Sequence, residues 1–181
     1  MPQILDGKLV RDTILERLRP RIARLGRPPG LAVVLVGNDP ASEIYVRHKI
    51  KTCGELGMFS EKVTPPVDIS TEGLLEVIDG LNRRADIDGI LVQMPLPKQI
   101  DARRIFEAIA PDKDADGFHP VNVGNLALGT PTLAPCTPAG VMEILRRSNV
   151  SLDGVNTVVM GRSEIVGKPM GIMLLNTSCS V

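Results

Sequence analysis

Short apolar runs of strand length alternate with helical segments along this chain, and that rhythm restricts its fold more than any other feature. The runs are residues 31–36 (LAVVLV), 88–94 (DGILVQM) and 155–160 (VNTVVM). Their length and their branched apolar side chains predict buried strands. Strands that alternate with helices form a parallel sheet with helices on both faces. The sequence therefore predicts an α/β fold with a mostly parallel sheet in three layers.

Turn and capping residues between these runs predict the remaining elements. We predict helices over residues 8–25, 43–57, 71–84, 101–109 and 138–148 and from about 167, and a further short strand near 61–64. Pro20 is expected to kink or split the first helix. Ser42 is predicted to cap the second helix, and Thr137 the helix that opens at Pro138. A polar loop is expected between residues 109 and 138.

The predicted helix over 138–148 is a natural boundary between two α/β units. We expect one domain over residues 1–137, this connecting helix, and a second domain over 149–181. The 27 residues from Val155 to Val181 are fewer than the roughly 30 that one βαβ unit takes. The second domain is therefore expected to be incomplete, with the sequence ending inside its first crossover.

Charge and aromatic content exclude two kinds of nucleic-acid surface. Lys plus Arg and Asp plus Glu both number 21, so the net charge is zero and the chain has no overall basic field. Aromatic residues make up 2% of the chain, with one tyrosine and no tryptophan, so several aromatics cannot form a base-stacking platform. We expect no nucleic-acid partner.

Cysteine spacing and the apolar runs bear on the compartment. Cys53, Cys136 and Cys179 lie far apart and form no CxxC pair, which indicates neither a disulfide framework nor a zinc cluster. A reducing compartment fits this pattern. The N-terminus lacks the apolar core of a secretory signal, and no apolar run approaches the roughly 18 residues of a membrane span. We expect a cytoplasmic protein without a membrane partner or a metal.

Two polar side chains, Lys49 and Gln93, lie at positions from which they could face a ligand-binding cleft. Tyr45 and Lys49 are four residues apart and share one face of the predicted helix, which Cys53 continues as a packing residue. Such a lysine is either a solvated neighbour of the tyrosine or a proton-transfer group that faces a cleft. Gln93 lies at the carboxyl end of its strand, where open α/β sheets bind ligands. It is either a structural amide bonded to backbone or a group that orients Lys49.

Alternating carboxylates mark the PDKDADGFHP loop. They are Asp112, Asp114 and Asp116. They imitate a calcium loop, but Val123 stands where that loop needs glutamate, so calcium is not expected. We expect the carboxylates to be exposed, with one able to bind an amine- or amide-rich ring through paired hydrogen bonds. His119 is expected to have a structural role.

A glycine turn follows the third apolar run. Gly161 precedes a helix predicted from about Gly167, which is a suitable context for a phosphate at a helix N-terminus. The spacing is neither GxGxxG nor a Walker loop, and Pro169 stands where that loop has Ser or Thr. A plain strand–helix turn and a nucleotide loop both remain open. Arg162 is suited to pair with a 2′-phosphate.

Four motifs occur together and in order between residues 37 and 170. They are GNDPASEIYVRHK, DGILVQMPLP, PDKDADGFHPVNVG, and PCTPAGV with VVMGRSEIVGKPM. This ordered set resembles the bifunctional methylenetetrahydrofolate dehydrogenase/methenyltetrahydrofolate cyclohydrolase family of the FolD type. The resemblance implies that 1–137 is a folate-binding catalytic domain and that 149–181 begins a Rossmann-like NADP-binding domain, with folate in the cleft between them.

Individual residues inherit expected roles from this resemblance. Lys49, Gln93 and Asp116 are expected to be catalytic. Tyr45 matches the tyrosine that stacks on the aminobenzoyl ring, Gln93 the glutamine that supports the lysine, and Asp116 the aspartate that holds the pterin. The expected substrate-binding residues are Tyr45, Lys49, Gln93, Asp116 and Pro135. The expected cofactor-binding residues are Gly161, Arg162, Ser163, Ile165 and Val166, with Arg162 favouring NADP.

The implied activity has two steps and a small-molecule folate substrate. NADP oxidises 5,10-methylenetetrahydrofolate to the methenyl form, which is then hydrolysed to 10-formyltetrahydrofolate. The family also implies a homodimer, whose contacts are made largely by parts of the fold beyond position 181. Because family members continue past that position, the cofactor site is expected to be half present. The alternative is an inactive, truncated form of this enzyme with at most residual folate binding.

Overall fold

A computed structural model describes residues 4–181 of the chain. Its elements are α1 (Gly7–Ile22), β1 (Gly30–Val34), α2 (Pro40–Glu55), β2 (Phe59–Val63), α3 (Thr71–Asn82), β3 (Gly89–Val92), α4 (Ala102–Ala108), α5 (Pro120–Ala127), α6 (Cys136–Arg147) and α7 (Gly167–Leu175). Contacts divide the chain into a sheet unit, Arg17–Ala115, and a helical unit, Asp116–Val181 with the residues up to Glu16. None of the helices in the described range has both the length and the apolarity to cross a membrane.

The sheet unit has three layers. Strand β1 lies between β2 and β3 and pairs with both in parallel. Because neighbouring residues of a strand point to opposite faces, Val34 packs in one core cluster and Val33 in another. The Val34 cluster includes Ile78 of α3 and Ile105 of α4, and the Val33 cluster includes Val46 of α2. The predicted three-layer α/β fold with a parallel sheet is confirmed.

The starts and ends of two helices differ from the prediction. Helix α2 begins at Pro40, and its cap is Asp39, whose carboxylate accepts a hydrogen bond of 2.8 Å from the Ser42 backbone N–H. The prediction that Ser42 caps this helix is therefore wrong, because Pro40 takes the first helical position and the helix begins three residues earlier than predicted. That hydrogen bond lowers the pKa of Asp39. Helix α1 is not split, because Pro20 lies in its last turn, which ends at Ile22.

Helix α5 occupies the expected polar loop. It begins at Pro120, and His119 caps it by accepting a 3.1 Å hydrogen bond at Nδ1 from the Val121 N–H. The structural role expected for His119 is thus confirmed. Helix α6 also begins earlier than predicted, at Cys136 with Pro135 in the cap position, so Thr137 is not the cap.

The predicted third strand does not form within the described residues. The segment 155–160 makes a single parallel bridge, between Asn156 and Ser180. Val158 is 89% exposed and Met160 96% exposed. A valine-rich run becomes a buried strand only between neighbouring strands. Here the described residues supply one short neighbour, so the prediction of a buried strand is wrong for this structure.

Candidate active site

Lys49 and Gln93 meet in the sheet unit. The Nζ atom of Lys49 donates to Oε1 of Gln93 at 3.1 Å. The Nε2 of Gln93 donates to the Met94 carbonyl at 2.7 Å, which turns the amide oxygen toward the lysine. Both side chains are half-buried. The Gln93 amide is therefore bonded to the backbone and to Lys49 at once. The two roles that the sequence left open, a structural amide and a group that orients Lys49, are not exclusive.

Strand pairing and core packing bring these two side chains together. The Gln93 backbone N–H donates to the Val34 carbonyl at 2.8 Å, which holds the end of β3 beside β1. Helix α2 is anchored by Val46, which is buried in the cluster that contains Val33 and Leu91. Lys49 lies one turn further along α2, at a spacing that keeps it near the same side of the helix. The pair is thus placed by strand pairing and by the core cluster that contains Val33.

The face of α2 that carries Lys49 becomes more buried along the helix. Tyr45, one turn before the lysine, is 65% exposed and offers a free ring surface. Cys53, one turn after it, is buried, and burial raises the pKa of its thiol. A raised pKa disfavours the thiolate, so Cys53 packs rather than reacts, as predicted.

The aspartates after α4 differ in burial, contrary to the expectation that all are exposed. Asp112 is exposed, Asp116 is half-buried and Asp114 is 1% exposed. The backbone explains the burial of Asp114, because its segment pairs with β3 through a parallel bridge to Ile90. Solvent exposure of a carboxylate run holds for isolated loops, and this run is joined to the sheet at Asp114.

In the helical unit, Asp116 and Pro135 are carried by backbone segments that touch. Gly117 follows Asp116 and has a φ of 68°. A Cβ on Gly117 would lie 2.7 Å from the Ala134 carbonyl carbon and 2.9 Å from the Pro135 nitrogen. Only glycine permits this approach together with that φ. Pro135 is buried at this junction.

The glycine turn forms a closed loop before α7. Gly161 has a φ of 142°, and a Cβ on Gly167 would overlap the Gly161 carbonyl and lie 2.8 Å from the Arg162 nitrogen. The loop is therefore sterically restricted to glycine at both ends. Arg162 and Ile165 within it are exposed.

Ser163 accepts hydrogen bonds from the backbone at the start of α7, where Val166 is the cap residue. Its Oγ accepts hydrogen bonds of 3.2 Å from the N–H groups of Val166 and Gly167. The Lys168 N–H also donates to the Ser163 carbonyl at 2.9 Å. These three N–H groups therefore donate within the loop, and a bound phosphate would compete with the Ser163 oxygens for them. The exposed guanidinium of Arg162 is a cationic group of the same loop.

Lys113 is well bonded, although no sequence pattern marked it as a functional residue. Its Nζ donates to the carbonyls of Asn82 and Arg84, both at 2.7 Å. The available signal was a lysine between aspartates in the PDKDADG motif. Within residues 4–181, no cluster of three or more His, Cys, Asp or Glu side chains is arranged to hold a metal ion.

Family models match most of the chain in two parts. Residues 5–116 match the catalytic domain of tetrahydrofolate dehydrogenase/cyclohydrolase. Residues 135–181 match the NAD(P)-binding domain of the same family. The second match begins where the structure has Pro135, one residue before α6.

Solved structures share this fold at substantial identity. The bifunctional FolD enzyme of Campylobacter jejuni is 43% identical, with a TM-score of 0.96 over 98% of this chain and 64% of that chain. FolD of Trypanosoma brucei, complexed with NADP cofactor and inhibitor, is 36% identical, with a TM-score of 0.94 over 99% of this chain and 64% of that one.

Curated relatives are closer in sequence. The bifunctional protein FolD of Solibacter usitatus is 60% identical across all of this chain and 60% of its own length. FolD of Koribacter versatilis is 56% identical over 98% of this chain and 59% of its own length. The chain thus spans about 60% of the length of these relatives. With its catalytic-domain match covering more than half of the sequence, the chain belongs to the tetrahydrofolate dehydrogenase/cyclohydrolase family.

Proposed function

We propose that this chain carries the folate-binding and catalytic residues of a methylenetetrahydrofolate dehydrogenase and methenyltetrahydrofolate cyclohydrolase. The whole protein oxidises 5,10-methylenetetrahydrofolate to the methenyl form with NADP, and hydrolyses that form to 10-formyltetrahydrofolate. The observation that carries the proposal is the 3.1 Å hydrogen bond between Lys49 Nζ and Gln93 Oε1. Family membership supports it, since the matched domains are named for both activities and for NAD(P).

Hydrolysis requires that water add to the cationic carbon and lose one proton. The hydroxyl proton of the resulting adduct must then reach the departing ring nitrogen as its C–N bond breaks and the formyl C=O forms. Lys49 provides an amine that can orient the water and move that proton. Gln93 holds the amine without a negative charge. A carboxylate in that place would favour the charged ammonium and weaken it as a proton acceptor. A neutral amide therefore suits a lysine that has to exchange protons.

Other side chains provide the expected contacts to folate. The exposed ring of Tyr45 offers a surface on which the aminobenzoyl ring stacks. The carboxylate of Asp116 matches the paired N–H donors at one edge of a pterin. Pro135 supports the backbone beside Gly117 and hence the loop that carries Asp116. These roles follow the resemblance and are proposals for this chain.

The glycine loop fits the phosphate end of a dinucleotide. The loop closes tightly at Gly167, and a phosphate bound at the start of α7 would replace Ser163 Oγ as the acceptor for the Val166 and Gly167 N–H groups. We assign cofactor contacts to Gly161, Arg162, Ser163, Ile165 and Val166. When bound, NADP accepts a hydride from the methylene carbon of the folate. Arg162 is the residue proposed to select NADP over NAD by pairing with its 2′-phosphate.

Replacing Gln93 with leucine tests the lysine–glutamine pair. The change removes the acceptor for Lys49 Nζ and keeps a similar volume. A hydrogen bond to a charged group contributes about 1.5–3 kcal/mol, so methenyl hydrolysis should slow roughly 10- to 100-fold. Stopped-flow decay of methenyl absorbance measures this rate, and NADP-dependent oxidation by the same variant is the internal control. Unchanged hydrolysis would remove the support for Gln93 as the positioning group.

Replacing Arg162 with alanine tests cofactor selection. Loss of a charge-assisted bond to a phosphate should raise the KM for NADP roughly tenfold and leave the KM for NAD nearly unchanged. Lys168→Ala is the matched control, because its ammonium already pairs with Glu164 at 3.1 Å. Steady-state kinetics of the whole protein with both cofactors give the comparison. An equal loss for NADP and NAD would contradict recognition of the 2′-phosphate by Arg162.

The domain division and the assembly stay predictions. We propose domains over 1–137 and 149–181 joined by a helix over 138–148, a homodimer for the whole protein, and a cytoplasmic location. The two family-model matches, over residues 5–116 and 135–181, support a division into two parts, although contacts divide the chain after Ala115. Light scattering of the whole protein would measure the dimer directly.

A further inference from the structure

Lys113 ties the loop after α4 to the end of α3. Its Nζ donates to the carbonyls of Asn82 and Arg84 at 2.7 Å each. Carbonyls at a helix C-terminus lack N–H partners within the helix, and the helix dipole favours a cation there. Lys113 is half-buried, so its bonds are less screened than those of a surface lysine. The residue is therefore held at a defined point of the sheet unit.

The backbone of the same residue pairs with β3. The Ile90 N–H donates to the Lys113 carbonyl at 2.6 Å, and the Ala115 N–H donates to the Ile90 carbonyl at 3.2 Å. The residue between these two bonds, Asp114, is buried. Lys113 thus fixes the register in which residues 113–115 leave the sheet. The next residue in the chain is Asp116.

We propose that Lys113 is a positioning residue for Asp116. By holding residues 113–115, Lys113 fixes the point at which the loop that carries the folate-binding Asp116 carboxylate begins. The inference rests on the proposed function, because it assumes that Asp116 binds the pterin. Lys113 acts through the backbone, because its Nζ donates to the carbonyls of Asn82 and Arg84 at and just after the end of α3. Its loss should therefore weaken substrate binding more than it slows the chemical steps.

Asn82 offers a matched comparison in the same place. Its side chain donates to the Ala108 carbonyl at 2.7 Å and accepts from the Ala110 N–H at 2.9 Å. These bonds hold the loop upstream of Lys113. The Asn82 carbonyl that accepts from Lys113 is backbone and survives a side-chain change. Asn82→Ala should thus cost stability in this region without releasing residues 113–115.

The experiment compares four variants of the whole protein by steady-state kinetics and thermal unfolding. Lys113→Met should raise the KM for 5,10-methylenetetrahydrofolate about tenfold and change kcat less than about threefold, the pattern of lost binding. Lys113→Arg keeps donors for both carbonyls and should restore KM to within about twofold. Lys113→Gln, with a shorter reach, should fall between them and replaces the methionine variant if that one does not fold. Asn82→Ala should lower Tm and leave KM unchanged.

Three results would overturn the inference. One is an unchanged KM in folded Lys113→Met or Lys113→Gln. Another is a rise in KM for Asn82→Ala equal to that for Lys113→Met, since it would make the effect one of stability. A third is a failure of Lys113→Arg to restore KM. Failure of the proposed function is distinct, since it would appear as methenyl hydrolysis that does not depend on Lys49.

Discussion

Replacing Lys49 with methionine is expected to slow hydrolysis of 5,10-methenyltetrahydrofolate by roughly 10²- to 10⁴-fold, the range that a general acid–base group contributes. Methionine keeps an unbranched side chain of similar length and removes the amine that Gln93 holds at 3.1 Å. The half-buried position can accept this change without a large loss of stability. Decay of methenyl absorbance with the purified whole protein, corrected for the uncatalysed rate, measures the effect.

Lys51→Met is the matched control for this prediction. Lys51 lies on the same helix two residues further on, its side chain is 71% exposed, and its Nζ lies 3.8 Å from a carboxylate oxygen of Glu55. Hydrolysis by this variant should stay close to that of the unmodified protein. The assignment of Lys49 fails if Lys49→Met hydrolyses the methenyl compound at an ordinary rate, or if Lys51→Met is equally impaired.

Replacing Gly30 with alanine is expected to destabilise the sheet unit by about 3 kcal/mol or more, because its backbone cannot move to admit a side chain. A Cβ there would overlap the Asp86 carbonyl oxygen and lie 3.3 Å from the Ile87 Cα. On its other side the Gly30 N–H donates to Asp88 at 2.8 Å, and the residue pairs with Phe59 of β2. The backbone at the start of β1 is thus restricted by Asp86, Asp88 and β2, so it cannot shift to relieve the overlap.

Gly80→Ala provides the control for Gly30→Ala. Gly80 lies inside α3, and a Cβ there meets no atom within 4 Å. Alanine in a helix interior is favoured over glycine by about 0.8–1.0 kcal/mol, so this variant should be slightly more stable. Urea unfolding midpoints of both variants measure the contrast. Equal stability of Gly30→Ala and the unmodified protein would contradict the packing described at β1.

The sheet unit was predictable because its pattern is local. Successive valines of the run 31–36 point to opposite faces of the sheet, and helices pack on both faces. Helix α5 was missed because eight residues are too few for a clear helical period. The run 155–160 has the same apolar pattern as a buried strand, but burial depends on neighbours that a local pattern does not contain.

The site was predictable only in part. Helical spacing places Tyr45 and Lys49 on one face, and the structure keeps them one turn apart. The bond from Lys49 to Gln93 joins residues 44 positions apart, a separation that no local pattern addresses. The position of Gln93 at a strand end suggested this bond as one of two alternatives, and the family resemblance favoured it. The burial of Asp114 depends on pairing with β3, and the side-chain bonds of Lys113 depend on carbonyls about 30 residues earlier in the chain; a local pattern reveals neither.

The central claim is that Lys49 completes a two-step conversion that begins with hydride transfer. The most direct measurement supplies the whole protein with 5,10-methylenetetrahydrofolate and NADP and follows both folate products. The account predicts folate-dependent reduction of NADP, with 10-formyltetrahydrofolate accumulating for the unmodified protein and the methenyl compound for Lys49→Met. Absence of NADP reduction by the unmodified protein, or the same final product from both proteins, would contradict it.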